Sequence, residues 1–310
     1  MSKPATKYTD QLALLKTRGL SVQDEAFALH MLEHHSYYRL SGYRFPFVAP
    51  GHPDQFLPGS TFTQLWELYH FDRSLRQLVL EACKRIEISV RSRWAYELSH
   101  RLGPLAYLEN SHFSDPLAHA KTLTKLDAEL KRSKEDFIRH HVQSLKMPWP
   151  PAWVMAEIIS FGNVSSLIGQ LRDPAIRQAI ATSYGLDEST FCPMLHHLCV
   201  MRNTAAHHGR LWNRKFNITF QLPRKKPAHL RPNFFVPPGS QNSHQIYNSL
   251  ILLVHFCRCI EPASHWPQRL IHCLIAVDPA RLPDMGFPTH WQSLPIWHQM
   301  LAPPSNSSNP

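Results

Sequence analysis

Between residues 61 and 103 apolar side chains recur at steps of three and four: Leu65, Leu68, Tyr69, Leu75, Val79, Ala82, Ile86, Val90, Trp94 and Leu98. That spacing holds them on one face of a 3.6-residue helix, and Gly103-Pro104 closes it. The pattern predicts one long amphipathic helix, or two nearly collinear ones. Weaker periodicity predicts two short helices over 8–35, split at Arg18-Gly19-Leu20, with Ser21 as the N-cap of the second. Further helices are expected over 115–145, over 153–171 with Gly162 inside, from Pro174 to about Tyr184, from Leu186 to near Gly209, and over about 243–260 and 265–277. Ser36–Phe47 reads as a packed aromatic loop, Ala49–Ser60 as a Pro/Gly loop, and Met147–Trp153 as a rigid turn. "KFNITFQL" from Lys215 alternates and suggests a short strand or an extended arm; the Pro- and Ser-rich end should be disordered. No internal repeat is visible. The sum is an all-α helical bundle with additional N-terminal helices and a short extended, basic arm. Three segments are expected: 1–60 packing on the core, a helical domain over 61–280, and a C-terminal extension over 281–310.

Composition narrows the class. With 310 residues the chain can bury a real core, and 11 Gly against 26 Pro suits helices punctuated by proline. No stretch approaches the roughly 18–20 apolar residues of a membrane span; "SLILLVHFCRCI" is too short and carries His and Arg. The N-terminus lacks an apolar leader. Six cysteines, mostly in apolar runs, are too sparse for a disulfide framework. The expectation is a cytoplasmic protein with reduced cysteines and no membrane association.

Charge changes the picture. The net charge is +10, and no Asp or Glu lies between Glu188 and Glu261. That interval holds nine cations: Arg202, Arg210, Arg214 and Lys215, then Arg224, Lys225, Lys226, Arg231 and Arg258. The remainder of the chain is near neutral. A one-signed field attracts polyanions, of which RNA and DNA are the usual ones; the alternative is a basic surface that only aids solubility.

Inside the interval lies "HHLCVMRNTAAHHGRLWNR", His196 to Arg214. RNA can be cleaved by its own 2′-hydroxyl. The reaction needs a group that titrates near neutrality, which His supplies. It also needs a fixed cation for the charge growing on phosphate, which the Arg fork supplies. Arg202, Asn203 and His207 are such a set, with His208 as an accessory. On one helix Asn203 and His207 share a face, whereas Arg202 lies about 140° away around the axis. The competing reading is a helix C-terminus, where cations complement the macrodipole and Gly209 suits the reversal. Arg210, Arg214 and Lys215 would extend a phosphate-binding surface, and Arg224, Lys225 and Lys226 a basic loop. Cys192, His196 and Cys199 share a face, but one straight helix rarely closes a tetrahedron, so neither metal nor cofactor is expected. Tyr37, Tyr38, Arg39, Tyr43 and Arg44 suit either an RNA-stacking clamp or a packed connector. Glu87 and Arg91, four apart on the long helix, read as an intrahelical ion pair.

Several stretches occur together and in order: "YYRLSGYRFPF", "LYHFDRSLRQLVLEACKRIEISVRSRWAYEL", "GPLAYL", "PPAWVMAEIISFGNVSSLI" and "MRNTAAHHGRLWNRKF". In this the chain, over roughly residues 8–260, resembles the Abi-like proteins of bacterial abortive infection, of the AbiD/AbiF type. That family in turn resembles the HEPN superfamily of helical ribonucleases, whose signature of Arg, a polar residue and a following His falls here on Arg202, Asn203 and His207, with His208 as the longer-spaced variant. The resemblance implies a homodimer with two motifs facing each other across a two-fold interface, and products ending in a 2′,3′-cyclic phosphate and a 5′-hydroxyl. It also implies that Glu87 or Arg91 positions the motif. It further implies an anti-phage, toxin-like endoribonuclease, in some relatives restrained by a small noncoding RNA antitoxin. The alternatives are a non-catalytic RNA-binding module and a protein-interaction adaptor.

Overall fold

The structure is a computed structural model, and it describes residues 4–223, 227–239 and 244–301. Arg224, Lys225 and Lys226 lie outside the described residues, as does the end of the chain from Ala302. Helices dominate, and among the described residues the sheet is a single two-stranded hairpin. The all-α expectation holds.

The chain divides into two compact units, 1–77 with 273–282 and 78–272 with 283–310. In the first, α1 (Tyr8–Thr17) packs on α2 (Glu25–His35). Asp24, not Ser21, caps α2, its carboxylate accepting from the Phe27 amide at 2.8 Å. Ser21 is engaged elsewhere, its backbone bonding to Ser60 and Phe62. Ser36–Phe47 is not a loop. It folds as α3 (Tyr37–Ser41) and a 3-10 turn, and Ala49–Ser60 contains the hairpin of β1 (Val48–Ala49) and β2 (His52–Phe56). Tyr43 is buried there, its hydroxyl donating to Asp72 at 2.6 Å beside Arg76. Tyr37 accepts from Arg18, and Tyr38 alone of the three tyrosines is fully outside, at 89% exposure. For Tyr43 the packed-connector reading therefore holds.

The long periodic stretch is one helix, α4 (Phe62–Leu102), which supplies residues to both units. In the second unit its Val79, Ala82, Ile86, Val90 and Trp94 are fully buried, the three- and four-residue steps read from the sequence. α5 (Pro116–Arg132) opens on Asp115, which caps two backbone amides. It stops at Ser133, so the helix expected to 145 is broken; α6 (Asp136–Arg139) and a π turn follow. The helix expected over 153–171 is likewise two, α7 (Ala152–Ile158) and α8 (Phe161–Gln170). Ile159 is extended, and the Ser160 hydroxyl accepts from the Asn163 amide to start α8. α9 (Pro174–Thr182) and α10 (Glu188–Ala206) fall where expected. α10 packs on both α8 and α9, and α5 packs on α8. α11 (Tyr247–Ile260) is buried on every side from Tyr247 to Cys257, as expected of a helix central to its unit. α12 (Trp266–Ala276) follows; its Trp266 indole donates to the Leu78 carbonyl at 2.9 Å.

Residues 215–222 form no strand, and the chain bends at Asn217 and Ile218. They are tied down by paired bonds between Phe216 and His244 and by the His197 imidazole on the Ile218 carbonyl. Beyond 282 the chain is folded up to α13 (Pro295–Leu301), through an aromatic cluster of Tyr247, Phe287, Trp291 and Trp297. Among the described residues no helix is long and apolar enough to cross a membrane.

Candidate active site

The Arg-Asn-His motif occupies the last turn of α10 and the reversal after it. His207 is the C-cap, its backbone leaving the helix at φ −87° and ψ 18°. The left-handed residue is His208, at φ 58°, rather than Gly209. The His208 amide donates to the Ala205 carbonyl and the Gly209 amide to the Thr204 carbonyl, which closes the reversal. Glycine is needed at 209 for a different reason: a Cβ there would meet the Thr204 side chain at 2.9 Å and its carbonyl at 3.0 Å. His207 and His208 are both exposed.

Arg202 turns the other way. Its guanidinium donates to Glu87 Oε2 at 3.3 Å and lies 5.7 Å from the Phe161 ring centroid. Glu87 also pairs with Arg91 on its own helix, so one carboxylate joins two arginines. The intrahelical pair expected from the spacing is present, and so is the contact between α4 and the motif. These side chains are half-sheltered, Glu87 at 16% and Arg202 at 25% exposure. The arrangement fixes the arginine fork from one side by charge and from another by an aromatic face.

Beside it opens a cleft of about 520 Å3, between α5, the start of α8 and α10. Arg202 and Asn203 form one wall; Ser160, Gly162 and Asn163 form another; Lys125 and Arg132 form the third. Asn163 donates to Glu129 at 3.1 Å, which ties down the acidic group lining the cleft. His207 is not among its lining residues. Within one chain, then, Arg202, Asn203, Glu87 and Arg91 are brought together, and the imidazole stands at the helix tip.

The remaining basic residues follow the reversal. Arg210 lies over the buried Trp212 ring and Arg214 over the buried Phe216 ring, each at 5.8 Å, while Lys215 is exposed. The sequence offered Arg202 and Asn203 but not Lys125, Arg132, Asn163 or Phe161. The spacing of Lys125, Glu129 and Arg132, four and three residues apart on one predicted helix, was the signal available.

The Cys192, His196, Cys199 face is unsuited to a metal. Among the described residues the ligand atoms of Cys192, His196 and Cys199 do not converge, and the Cys199 thiol donates to the Phe161 carbonyl at 3.4 Å. His196 is exposed. Among the described residues the one group with converging ligand atoms is His30, Glu33 and His34, on the open face of α2. A separate cavity of about 900 Å3 in the first unit, lined by Phe47, Trp66 and Arg281 among others, contains none of the motif residues.

No curated protein and no solved structure matches the chain. A family model described as Abi-like protein matches residues 30–213, which run from within α2 through the reversal after α10 and take in Glu87, Arg91 and the whole Arg202–His207 motif. Covering more than half of the sequence, the match places this chain in the Abi-like protein family.

Proposed function

We propose that this protein is a metal-independent endoribonuclease of the HEPN type, acting in the bacterial cytoplasm in abortive infection. The supporting observation is the held guanidinium: Arg202 is anchored by Glu87 and Phe161 at the edge of a cation-lined cleft, with Asn203 beside it. In the reaction the 2′-hydroxyl attacks the adjacent phosphodiester. A neutral imidazole takes the hydroxyl proton, the P–O5′ bond breaks, and a protonated imidazole gives the leaving 5′-oxygen its proton. A cyclic 2′,3′-phosphate and a 5′-hydroxyl result, and Arg202 stabilises the charge on the non-bridging oxygens. Two histidines in opposite protonation states are needed. His207 stands outside the cleft of its own chain, so a two-fold dimer, with two motifs in one groove, supplies both. His208 is the accessory imidazole. Arg91 holds Glu87. Arg210, Arg214 and Lys215 guide the RNA.

The test is incubation of the purified chain with end-labelled RNA in EDTA, with product ends determined. Cleavage that survives chelation, leaves cyclic phosphate and disappears in Arg202→Ala and His207→Ala supports the reading. Binding without cleavage in all three proteins supports the second reading, an RNA-binding module, which the separation of His207 from the cleft favours. Absence of salt-sensitive RNA binding sinks both.

A further inference from the structure

Lys125 and Arg132 fall on one face of α5, seven residues apart with Ala128 and Glu129 between them, and that face looks onto the start of α8. Two neighbouring cations are paired: Lys131 with Asp127 at 2.7 Å, and Arg139 with Asp136. Lys125 and Arg132 are exposed, and among the described residues neither has an ion pair or a side-chain hydrogen bond. Both line the cleft that Arg202 and Asn203 close from the other side. It is an open surface groove of about 520 Å3.

The chemistry of the walls identifies the guest. Three cations, two side-chain amides and two serine hydroxyls surround one carboxylate, and that carboxylate accepts from Asn163. No aromatic side chain lines the cleft, so nothing there stacks a base. A cation-rich, ring-free groove suits a sugar–phosphate backbone, whose charge repeats irrespective of sequence. We infer that the α5–α8 cleft is a backbone subsite, in which Lys125 and Arg132 grip the phosphodiester flanking the one that Arg202 acts on. This rests on the ribonuclease reading for its second half only; the grip itself requires RNA and not cleavage. Lys125 and Arg132 touch no reacting atom. They position the strand.

The test uses the full chain and short single-stranded 2′-O-methyl oligoribonucleotides of U, of A and of C, which lack the attacking hydroxyl. Affinity is measured across a salt series for wild type, for Lys125→Gln/Arg132→Gln, and for Lys121→Gln/Lys131→Gln. The last removes the same charge from the same helix outside the cleft. Two lost single-strand contacts lower the slope of log affinity against log salt by about 1.4, equally for all three oligomers. The control keeps a slope close to wild type. On cleavable RNA the cleft variant raises KM and keeps kcat. Surface substitutions of this kind leave the fold in place, which the melting curve verifies. An equal drop in both double variants means diffuse charge and overturns the subsite. An unchanged slope in a protein that binds RNA also overturns it, and leaves the ribonuclease reading standing. Loss confined to one base overturns the backbone assignment. If wild type shows no salt-sensitive binding, subsite and ribonuclease fall together.

Discussion

Glu87→Gln tests how the motif arginine is held. Glu87 Oε2 accepts from Arg202 at 3.3 Å, while its other oxygen meets Arg91. Glutamine keeps one acceptor and loses the charge. The pair is sheltered but not buried, at 16% and 25% exposure, so the stability cost belongs between a surface pair and a buried one, at about 1–2 kcal/mol. Glu87 reaches the substrate only through Arg202, so the loss of orientation appears in kcat, at about tenfold or ~1.4 kcal/mol of barrier, with KM unmoved. Arg202→Lys removes the planar fork and its stacking on Phe161, and costs about 10²–10³-fold. The double variant separates a shared path from independent effects. With the lysine in place Glu87→Gln adds little, since both changes act on one group. The assay is single-turnover cleavage of a fluorescent RNA, with a thermal melt of each protein. Multiplying effects in the double variant, or an undiminished rate in Glu87→Gln, refutes the positioning role.

Three further outcomes follow from the structure. Exchanging subunits of wild type with excess His207→Ala lowers the activity per wild-type chain if the site is composite, because a mixed dimer holds one of the two imidazoles the reaction needs; an unchanged activity per wild-type chain means each chain works alone. Asp72 is fully buried against Arg76, which is 5% exposed, and accepts from Tyr43; Asp72→Ala therefore leaves an uncompensated charge and lowers urea stability by about 3–5 kcal/mol, whereas Tyr43→Phe costs about 1–1.5 kcal/mol. Burial holds the His255 imidazole down at about 4 against an ordinary 6.5, only partly opposed by its bond to the Tyr184 carbonyl. The unfolded chain therefore takes up this proton first, so stability is full above pH 6.5 and is lost as pH falls to about 4, by ~3 kcal/mol at 1.36 kcal/mol per unit; His35 and His197, also lowered by burial, act in the same direction. A series of urea melts from pH 7.5 to 4 checks this, and His255→Gln flattens the curve.

Where one apolar face repeated over many turns, as in α4, the helix was legible from sequence alone, and so was the continuous apolar run of α11. Misreadings cluster where a short polar contact overrides periodicity. Ile159 and Ser160 sit inside an unbroken apolar pattern, yet the Ser160 hydroxyl captures the Asn163 amide and starts a new helix. Ser21 carries the better cap chemistry by position, but its backbone is engaged with residues 60 and 62, and the cap passes to Asp24. The hairpin strand His52–Phe56 has four exposed residues and one buried, so it has no alternation to read. Trp297 packs against Tyr247, fifty positions earlier, a partner no local window reveals.

The site divides along the same line. Residue types and the one-sided charge could be read directly, and the angle of about 140° between Arg202 and His207 followed from helix geometry. What spacing cannot supply is where each side chain finds its partner. Arg202 goes to a carboxylate 115 positions earlier and to a ring at the start of α8. His207 has already left the helix, its ψ of 18° carrying it past the last turn. The Abi-like match, over residues 30–213, covers both residues. Arg202 lines the cleft and His207 does not, and this separation within one chain is what leads the proposed ribonuclease reading to draw the cation from one copy and the imidazole from the next.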